Sequence, residues 1–382
     1  MKIAVFDDFV PHLDLGAGLP RANALVNELA QRCERVAYFA MHGPAGETTP
    51  EQWYRDIDRR VEISIPPLPY DWTPTFEGLR AGGFDVLWIS RPPNMRTLLA
   101  SLIARPDLRA AFTIVYDAEA LYAPRSVQLR RLEGRPVPPE IERGWLEEEF
   151  FLARQADLVV SVSPGEAHAL REGTQREAFV LGFTSLPDPT PASFAQRRDF
   201  GFVGPLRRVS PNEDSLLWYG ANVLHEVAAR TQARLRVAGA LDSRLFAIYA
   251  GPQVELLGKL DDLRPFFNAM RVFIAPTRFA AGLPQKLIDA ASAGVPIVAT
   301  SLLAEELGWT HRTELLVADD AAAFADACVA LYTDADLWQQ LRETACRRIA
   351  QAYGTGCFAR ELDVVLGALM ARPPRCTEPA RT

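Results

Sequence analysis

The sequence contains little cysteine, which excludes two common ways of building a site or a small stable domain. Its five cysteines are scattered, and no two of them form a Cys-x-x-Cys pair. Zinc sites and disulfide frameworks both need closely spaced or paired cysteines, so we expect neither. A reducing cytoplasm fits this composition. The cysteines are Cys33, Cys328, Cys346, Cys357 and Cys376.

Long apolar runs are also absent. No stretch approaches the roughly 20 apolar residues of a membrane-spanning helix, and the apolar run at residues 1–6 is too short for the core of a signal peptide. We therefore expect a cytoplasmic protein. Two groups of arginines leave open a peripheral contact with the inner face of the membrane, although a solvated loop and a frayed tail are the simpler explanation. These arginines are Arg125, Arg130, Arg131, Arg135, Arg372, Arg375 and Arg381.

An excess of positive charge is lacking as well. The 41 lysines and arginines are outnumbered by 48 aspartates and glutamates, which gives a formal net charge of -7. Proteins that bind nucleic acid normally carry a basic domain or stripe that neutralises backbone phosphates. Nucleic acid is therefore excluded as an expected partner.

The length and the pattern of the chain predict two α/β domains. A chain of 382 residues exceeds what one core usually organises. Short β-branched and aromatic runs alternate with amphipathic stretches, which is typical of βα units around a parallel sheet. The predicted strands are 2–7, 35–40, 61–65, 85–90, 112–117 and 157–163 in the first half, and 199–203, 235–239, 254–257, 272–275, 297–300 and 315–317 in the second. Predicted helices include 19–31, 140–154, 213–230 and 358–370.

A proline-rich segment near the middle of the chain predicts the domain boundary. Three prolines within 187–191 block helices and sheet ladders alike. We predict a Rossmann-like acceptor-side domain at 1–185, a linker at 186–196 and a Rossmann-like donor domain at 197–354. A C-terminal helix at 355–371 is expected to cross back to the first domain, followed by a flexible tail at 372–382.

The first candidate site follows the first predicted strand. Asp7 and Asp8 precede a loop that contains Gly16, Gly18 and Arg21. Parallel sheets bind ligands outside the carboxyl ends of their strands, and glycines allow the backbone to approach a ligand closely. No third glycine completes a dinucleotide fingerprint, so a nicotinamide cofactor is not expected. A simple strand-to-helix loop explains the pattern equally well.

The second candidate site lies at the end of the strand predicted at 112–117. Asp117 and Glu119 come at its carboxyl end, with Arg125 shortly after. Carboxylates in this position can bind sugar hydroxyl groups or accept a proton from an attacking hydroxyl. They can equally cap the helix that follows.

The third candidate site is the richest in chemistry. A small-residue loop after the strand at 272–275 carries Arg278 and Gly282, and the next helix has Lys286 in its first turn and Asp289 three residues later. An arginine beside helix N–H groups offers a diphosphate bidentate hydrogen bonds and dipole attraction. Asp289 can pair with Lys286 or accept hydrogen bonds from a ribose or a sugar. No Asp-x-Asp pair with suitable flanks is present, so no metal is expected.

These residues resemble a known family, the group 1 glycosyltransferases of the GT-B fold, which are mostly retaining, family 4-like enzymes that use nucleoside-diphosphate sugars. The resemblance is strongest over 273–300. It is supported by Phe202-Val203-Gly204, Pro211-Asn212-Glu213-Asp214, Val237-Ala238-Gly239 and the 156–163 stretch. It implies two Rossmann-like domains that face each other across a cleft.

The resemblance also implies roles for individual residues. Arg278 and Lys286 would contact the donor diphosphate, and Asp289 would lie near the ribose. Gly18 would line the catalytic cleft. Asp117 and Glu119 are further catalytic candidates because of their place at the end of a predicted strand. The other predicted donor-binding residues are Gly204, Arg207, Asn212, Gly239, Gly282 and Leu283, and the predicted acceptor-side residues are Asp8, Gly16, Gly18 and Arg21.

The sequence departs from the family pattern in two places. The glutamate expected eight residues before Asp289 is Ala281, which removes a contact usually made to a sugar hydroxyl. The basic residue often found directly after the 199–203 strand is displaced to Arg207 or Arg208. The first departure allows a weakened or unusual donor specificity.

The expected function is transfer of a sugar from a nucleoside-diphosphate sugar to a hydroxyl group of a glycan or glycolipid, with retention implied by the resemblance alone. The nucleotide sugar is a co-substrate, and no other cofactor is expected. Two alternatives stay open. One is a different enzyme on the same fold, such as a sugar-nucleotide epimerase or a glycosidic phosphorylase. The other is a non-catalytic subunit that binds nucleotide sugars.

Overall fold

The computed structural model describes residues 1–13, 18–42, 49–66, 71–241 and 251–372. Within these residues it contains thirteen strands, all of them in two sheets whose ladders are parallel throughout. The described residues group into two compact units, one within Met1–Ala123, Pro138–Thr184 and Phe358–Thr382, and one within Pro124–Val137 and Ser185–Cys357. The predicted fold class, two Rossmann-like α/β domains with parallel sheets, is confirmed.

The first unit contains a seven-stranded sheet in the order β3-β2-β1-β4-β5-β6-β7. Its strands are β1 (Lys2–Asp7), β2 (Arg35–Ala40), β3 (Val61–Ser64), β4 (Val86–Ser90), β5 (Thr113–Glu119), β6 (Leu158–Ser161) and β7 (Ala178–Val180). The first eight helices are α1 (Leu19–Arg32), α2 (Pro50–Trp53), α3 (Thr73–Ala81), α4 (Pro92–Ala104), α5 (Pro106–Ala111), α6 (Tyr122–Leu132), α7 (Pro139–Arg154) and α8 (Pro164–Thr174). Most of α6 groups with the second unit.

The second unit contains a six-stranded sheet in the order β10-β9-β8-β11-β12-β13. Its strands are β8 (Asp199–Val203), β9 (Leu235–Ala238), β10 (Val254–Gly258), β11 (Met270–Ala275), β12 (Ile297–Ala299) and β13 (Leu316–Val317). The remaining helices are α9 (Pro211–Asn222), α10 (Leu224–Thr231), α11 (Arg264–Ala269), α12 (Gln285–Ser292), α13 (Ser301–Leu307), α14 (Ala321–Thr333), α15 (Ala335–Ala352) and α16 (Thr355–Met370).

Both faces of the first sheet are covered, which explains its continuous apolar strands. In β1, Ala4 and Phe6 pack into one buried cluster, whereas Ile3 and Val5 pack into a second cluster on the opposite face. Side chains alternate between the faces of a strand, so a strand buried on both sides must be apolar at every position. The second cluster also contains apolar side chains of α16, so the C-terminal helix completes the core of the first unit.

The prediction of a single helix at 213–230 is wrong, because the structure contains two helices there. The chain leaves helical geometry at Val223, with φ −122° and ψ −43°, between α9 and α10. Tyr219, Val223 and Val227 are nevertheless all buried in the same core. Because the apolar spacing continues through the break, periodicity alone does not reveal it.

Side-chain caps explain where several helices begin. At Ser163, Ser210, Asp320 and Asp334 the side chain accepts a hydrogen bond from a backbone N–H of the first helical turn. Such caps satisfy N–H groups that have no partner inside the helix. The Ser210 cap fixes the start of α9, which lies at the candidate donor site.

Candidate functional site

The second sheet has one position at which its strand order reverses. From β8 the chain moves outward to β9 and β10, and it then returns to β11 on the other side of β8. The loops that follow β8 and β11 therefore diverge at the carboxyl edge, and ligands of open parallel sheets bind at such a point. Gly204 follows β8 directly, and Arg278 lies three residues after the end of β11.

Lys286 is the second residue of α12 and is held by uncharged groups. Its Nζ donates hydrogen bonds to Asn212 Oδ1 at 3.0 Å and Thr277 Oγ1 at 3.1 Å, and it lies 4.8 Å from the centre of the Phe202 ring. Burial lowers the pKa of Lys286 to about 7, and both hydrogen-bond acceptors that the described residues offer its Nζ are uncharged. An anion bound beside this Nζ would therefore stabilise the charged form of the side chain.

Asp289 lies one turn further along α12. Burial raises the pKa of its carboxyl group to about 7. Within the part of the chain that the structure describes, Asp289 and Lys286 form no ion pair. The sequence offered Asp289 two partners, Lys286 or a hydroxyl group of a ribose or sugar. The hydroxyl group stays a prediction.

Arg278 is held in a fixed orientation by α9. Its Nε donates to Asp214 Oδ2 at 3.0 Å and its Nη2 to Asp214 Oδ1 at 2.5 Å, which is a bidentate pair. The guanidinium carbon also lies 6.0 Å from the centre of the Trp218 ring, one helical turn along the same face. Three of the five guanidinium N–H groups lie outside this carboxylate pair, and the side chain is partly exposed.

The first turn of α9 connects the two loops at this edge. Asn212 accepts from Lys286, Asp214 accepts from Arg278, and the hydroxyl groups of Ser215 and Thr277 are 3.1 Å apart. The two basic residues therefore share one short piece of helix as their support. Asp214 and Thr277 were not selected from the sequence as site residues, because their roles depend on partners that lie far apart along the chain.

The remaining predicted donor residues lie in the same or adjoining loops. Gly204 and Gly239 end neighbouring strands, and a Cβ atom at Gly239 would lie 2.2 Å from the carbonyl oxygen of Gly204. Gly282 adopts a positive φ of 71°, and Leu283 next to it is partly exposed. Arg207 is exposed in the loop between β8 and α9, as is Arg208.

The first sheet reverses its strand order between β1 and β4, and a second polar cluster lies at that edge. The carboxyl groups of Asp7 and Asp8 come from the end of β1, and those of Asp117 and Glu119 from the end of β5. The structure brings the predicted residues Asp8, Gly18, Arg21, Asp117 and Glu119 into this cluster. The predicted residue Gly16 lies outside the described residues.

Asp117 is fully buried, and both of its carboxylate oxygens are occupied. Arg21 donates two hydrogen bonds to them at 2.9 and 3.2 Å, Trp88 Nε1 donates at 3.2 Å, and the N–H of Glu119 donates at 3.3 Å. Arg21 is itself buried and donates through Nε to the carbonyl oxygen of Leu181. This saturated pair fixes the position of the carboxyl end of β5.

Arg91 is a member of this cluster that sequence reasoning missed. It directly follows β4, and its guanidinium group contacts Asp7 at 2.9 Å, Asp8 at 2.9 Å and Glu119 at 3.4 Å. Asn94, on the first turn of α4, donates to Asp8 at 2.9 Å. The signal that could have found Arg91 is the same as for Asp8: each is a polar residue directly after a buried strand.

Two carboxyl groups of this cluster have raised pKa values. Burial raises the pKa of Glu119 to about 8 and that of Asp7 to about 6, in both cases against the opposing effect of Arg91. Glu119 Oε1 and Asp7 Oδ2 are buried and accept no hydrogen bond from the described residues. A carboxyl group with such a pKa can hold or accept a proton near neutral pH.

The described residues offer neither a metal-binding cluster nor a helix that could span a membrane. Between residue 1 and residue 372, apart from the gaps given above, no group of three or more histidine, cysteine, aspartate or glutamate side chains is arranged to hold a metal ion. In the same residues no helix combines the length and the apolar character that crossing a membrane requires.

A family comparison matches most of the second unit. Residues 197–334 match the model of the family described as "Glycosyl transferases group 1". A curated protein of Klebsiella pneumoniae, described as an uncharacterized 44.6 kDa protein in a cps region, is 29% identical over 136 residues. That match covers 32% of this chain and 34% of the relative, so the two share about a third of their lengths.

Solved structures resemble the whole chain. Sucrose-phosphate synthase from Thermosynechococcus elongatus has a TM-score of 0.70 at 16% identity, over 97% of this chain and 99% of that one. HepE from Anabaena, solved in complex with UDP and glucose, has a TM-score of 0.67 at 16% identity, over 96% of this chain and 100% of that one. At these identities the likeness shows a shared fold.

Proposed function

We propose that this protein transfers a sugar from a nucleoside-diphosphate sugar to a hydroxyl group of a glycan or glycolipid, because residues 197–334 match the group 1 glycosyltransferase model and the chain shares the fold of solved glycosyltransferases. The observation that carries the proposal is the meeting of Lys286 and Arg278 on the first turn of α9 at the carboxyl edge of the second sheet. Asp289, on the same helix as Lys286, is proposed to bind the ribose.

The chemistry of the donor supports this assignment. Breaking the bond from the anomeric carbon to the diphosphate leaves negative charge on the departing oxygen. Cationic groups fixed in advance stabilise the transition state most where charge develops. Arg278 is oriented by Asp214, and among the described residues Lys286 donates to uncharged oxygens alone, so a diphosphate would supply the negative charge that both groups can bind. No metal is proposed, since these two cations supply the positive charge.

The first unit is proposed to bind the acceptor. Glu119 is our candidate to accept the proton of the acceptor hydroxyl, because its Oε1 accepts no hydrogen bond from the described residues and its ionised form, with a pKa of about 8, binds a proton more strongly than an ordinary carboxylate does. As the acceptor oxygen bonds to the anomeric carbon, its O–H electrons become that oxygen's lone pair and the proton moves to Glu119. The electrons of the broken bond go to the diphosphate. Asp117, whose oxygens are saturated, is assigned a positioning role instead.

Two relatives suggest where to look for substrates. HepE was solved with UDP-glucose as well as with UDP, so UDP-sugars are the first donors to test. The Klebsiella relative comes from a cps region, which favours a polysaccharide or its lipid-linked precursor as the acceptor. Retention of the anomeric configuration, a cytoplasmic location and a peripheral membrane contact stay predictions.

An enzymatic assay tests the proposal. Nucleoside-diphosphate release is measured from UDP-, GDP- and ADP-sugars with and without a panel of alkyl and aryl glycosides as acceptors. We expect acceptor-dependent release with at least one donor. Lys286→Ala and Arg278→Ala should each lower kcat by about 100-fold, as loss of a transition-state donor does. Arg198→Ala is the matched control, because Arg198 is exposed next to the opposite end of β8.

Two results would contradict the proposal in different ways. Donor turnover that does not depend on any acceptor would favour an epimerising or hydrolytic enzyme on the same fold. Donor binding without turnover, with affinity as the one property that Lys286→Ala and Arg278→Ala change, would favour a non-catalytic subunit. The non-catalytic alternative is worth testing because Ala281 stands where the family has a glutamate.

A further inference from the structure

Three unusual backbone positions converge on one point of the first unit. Arg91 and Glu119 adopt positive φ angles of 75° and 54°, and Gly18, at the N-terminus of α1, has a φ of 84°. Residues with a Cβ atom rarely adopt this region, because the Cβ atom is then crowded by the backbone. Strained residues persist where the surrounding structure fixes them, and they cluster at functional sites.

The contacts of Arg91 show which groups keep its backbone in this unusual conformation. Its backbone N–H donates to the carbonyl oxygen of Asp117 at 2.8 Å, which ties the end of β4 to β5. A Cβ atom placed on Gly18 would lie 3.1 Å from Glu119 Oε1 and 3.3 Å from Arg91 Nη2. The glycine therefore leaves room for the Arg91 and Glu119 side chains to face each other.

The charges around Glu119 come from every element packed against it. Arg91 faces it from the loop after β4, Asp7 from β1, Arg21 from α1 and Asp117 from its own strand. Asp8 shares the Arg91 guanidinium with Asp7 and Glu119. Burial and the aspartates favour the protonated form of Glu119, whereas the two arginines favour its ionised form, and Arg91 has the larger effect. Arg91 is thus the main group that opposes protonation.

We propose that Arg91 is a positioning residue, which holds the Glu119 carboxylate in one orientation and keeps its ionised form available to receive the proton of an acceptor hydroxyl. This inference rests on the proposed function, because it assigns a purpose to the site that binds the acceptor. The guanidinium group suits the task, since its planar array of five donors bridges carboxylates from β1 and β5 at once. A lysine has one ammonium group and cannot span the same oxygens.

A titration of Glu119 in the full-length protein tests the inference without any substrate. Glutamate labelled with ¹³C at the side-chain carboxyl carbon is observed by NMR between pH 4 and 10, and the Glu119 signal is assigned by its loss in Glu119→Gln. Arg91→Met should lower the acid dissociation constant of Glu119 at least tenfold, which is a rise of one pKa unit. Arg91→Lys should give a smaller shift in the same direction. Arg96→Met is the control, since Arg96 is an exposed arginine on α4, the helix that begins directly after Arg91, and it should leave the titration unchanged.

The outcomes separate this inference from the proposed function. If Glu119 titrates equally in the wild type, Arg91→Lys and Arg91→Met, Arg91 does not set its charge state and the inference is overturned. If Arg91→Met does not fold, the Arg91→Lys comparison decides. Where transfer is measurable, the alkaline shift must also appear in the pH profile of kcat/KM. A wild type without transfer activity would overturn the proposed function and leave the titration result standing.

Discussion

Burial of Lys286 against uncharged partners has a consequence for stability. Its folded-state pKa of about 7 lies below the usual value of 10.5, so between these values the unfolded chain binds a proton that the folded chain does not. This costs stability most at and below pH 7, and the cost fades as the pH rises towards 10.5. Lys286→Met should therefore raise the melting temperature at pH 7, by roughly 2–4 °C.

Thermal melting at pH 7 and pH 10 checks this prediction. The advantage of Lys286→Met over the wild type should shrink at pH 10, because that pH is close to the ordinary lysine pKa of 10.5 and most of the desolvation cost has faded there. A variant that is less stable than the wild type at both values would show that Lys286 contributes packing or hydrogen bonding that outweighs its desolvation.

The same pKa predicts how nucleotide affinity depends on pH. A bound diphosphate favours the charged lysine, so binding takes up a proton wherever the free protein has lost it. UDP affinity should therefore fall as the pH rises from 7 to 9, by up to about tenfold per unit. Equilibrium dialysis across this range measures the slope. Lys286→Met should bind UDP weakly with no such slope, and an equal slope in both proteins would assign the proton to another group.

At the scale of elements, the candidate donor site depends on how closely the ends of β8 and β9 approach. Gly239 has a φ of 142°, and a Cβ atom there would overlap the carbonyl group of Gly204. Gly239→Ala should cost about 1–3 kcal/mol of stability through this overlap and weaken UDP binding. Chemical denaturation and UDP titration measure the two effects.

Gly220 provides the matched control for this substitution. It is an exposed glycine inside α9, and a Cβ atom there would have no neighbour within 4 Å. Because alanine favours a helix over glycine, Gly220→Ala should stabilise the protein by up to about 1 kcal/mol. Equal losses of stability in the two variants would argue against a special role for the Gly204 and Gly239 contact.

The C-terminal helix α16 belongs to the core of the first unit, and two adjacent valines test this. Val365 is fully buried in that core, whereas Val364 is 60% exposed. Val365→Ala should destabilise the protein by roughly 2 kcal/mol through the cavity that it leaves, and Val364→Ala by less than about 0.5 kcal/mol. Urea denaturation followed by circular dichroism measures both. Similar effects at the two positions would contradict the packing of α16.

At the scale of the whole molecule, apolar patterning predicted most of the fold. The bounds of β1, β2 and β8 agree with the predicted 2–7, 35–40 and 199–203, because strands covered on both faces are apolar throughout. The pattern carried no information on strand order or on where a continuous apolar face breaks, as it does at Val223. It also gave no sign of the short edge strand β7 or of the grouping of Pro124–Val137 with the second unit.

The candidate site could also be predicted in part. Arg278, Lys286 and Glu119 were found because each lies at or just beyond the end of a strand or at the start of a helix, and such positions can be predicted from one sequence. Arg91 and Asp214 were missed, because their roles arise from partners that folding brings together, such as the 64 residues that separate Asp214 from Arg278. The sequence did not reveal the charge states of Glu119 and Lys286 either, since the raised pKa of Glu119 and the lowered pKa of Lys286 come from burial.

A calorimetric titration of UDP at pH 7 tests the central claim most directly. It compares the wild type with Lys286→Ala, Arg278→Ala and the control Arg198→Ala. If the two basic residues at the edge of the second sheet hold a diphosphate, the wild type and Arg198→Ala should bind alike. Each of the other two variants should then bind at least tenfold more weakly, which is a loss of about 1.4 kcal/mol. Equal affinity in all four proteins would contradict the account.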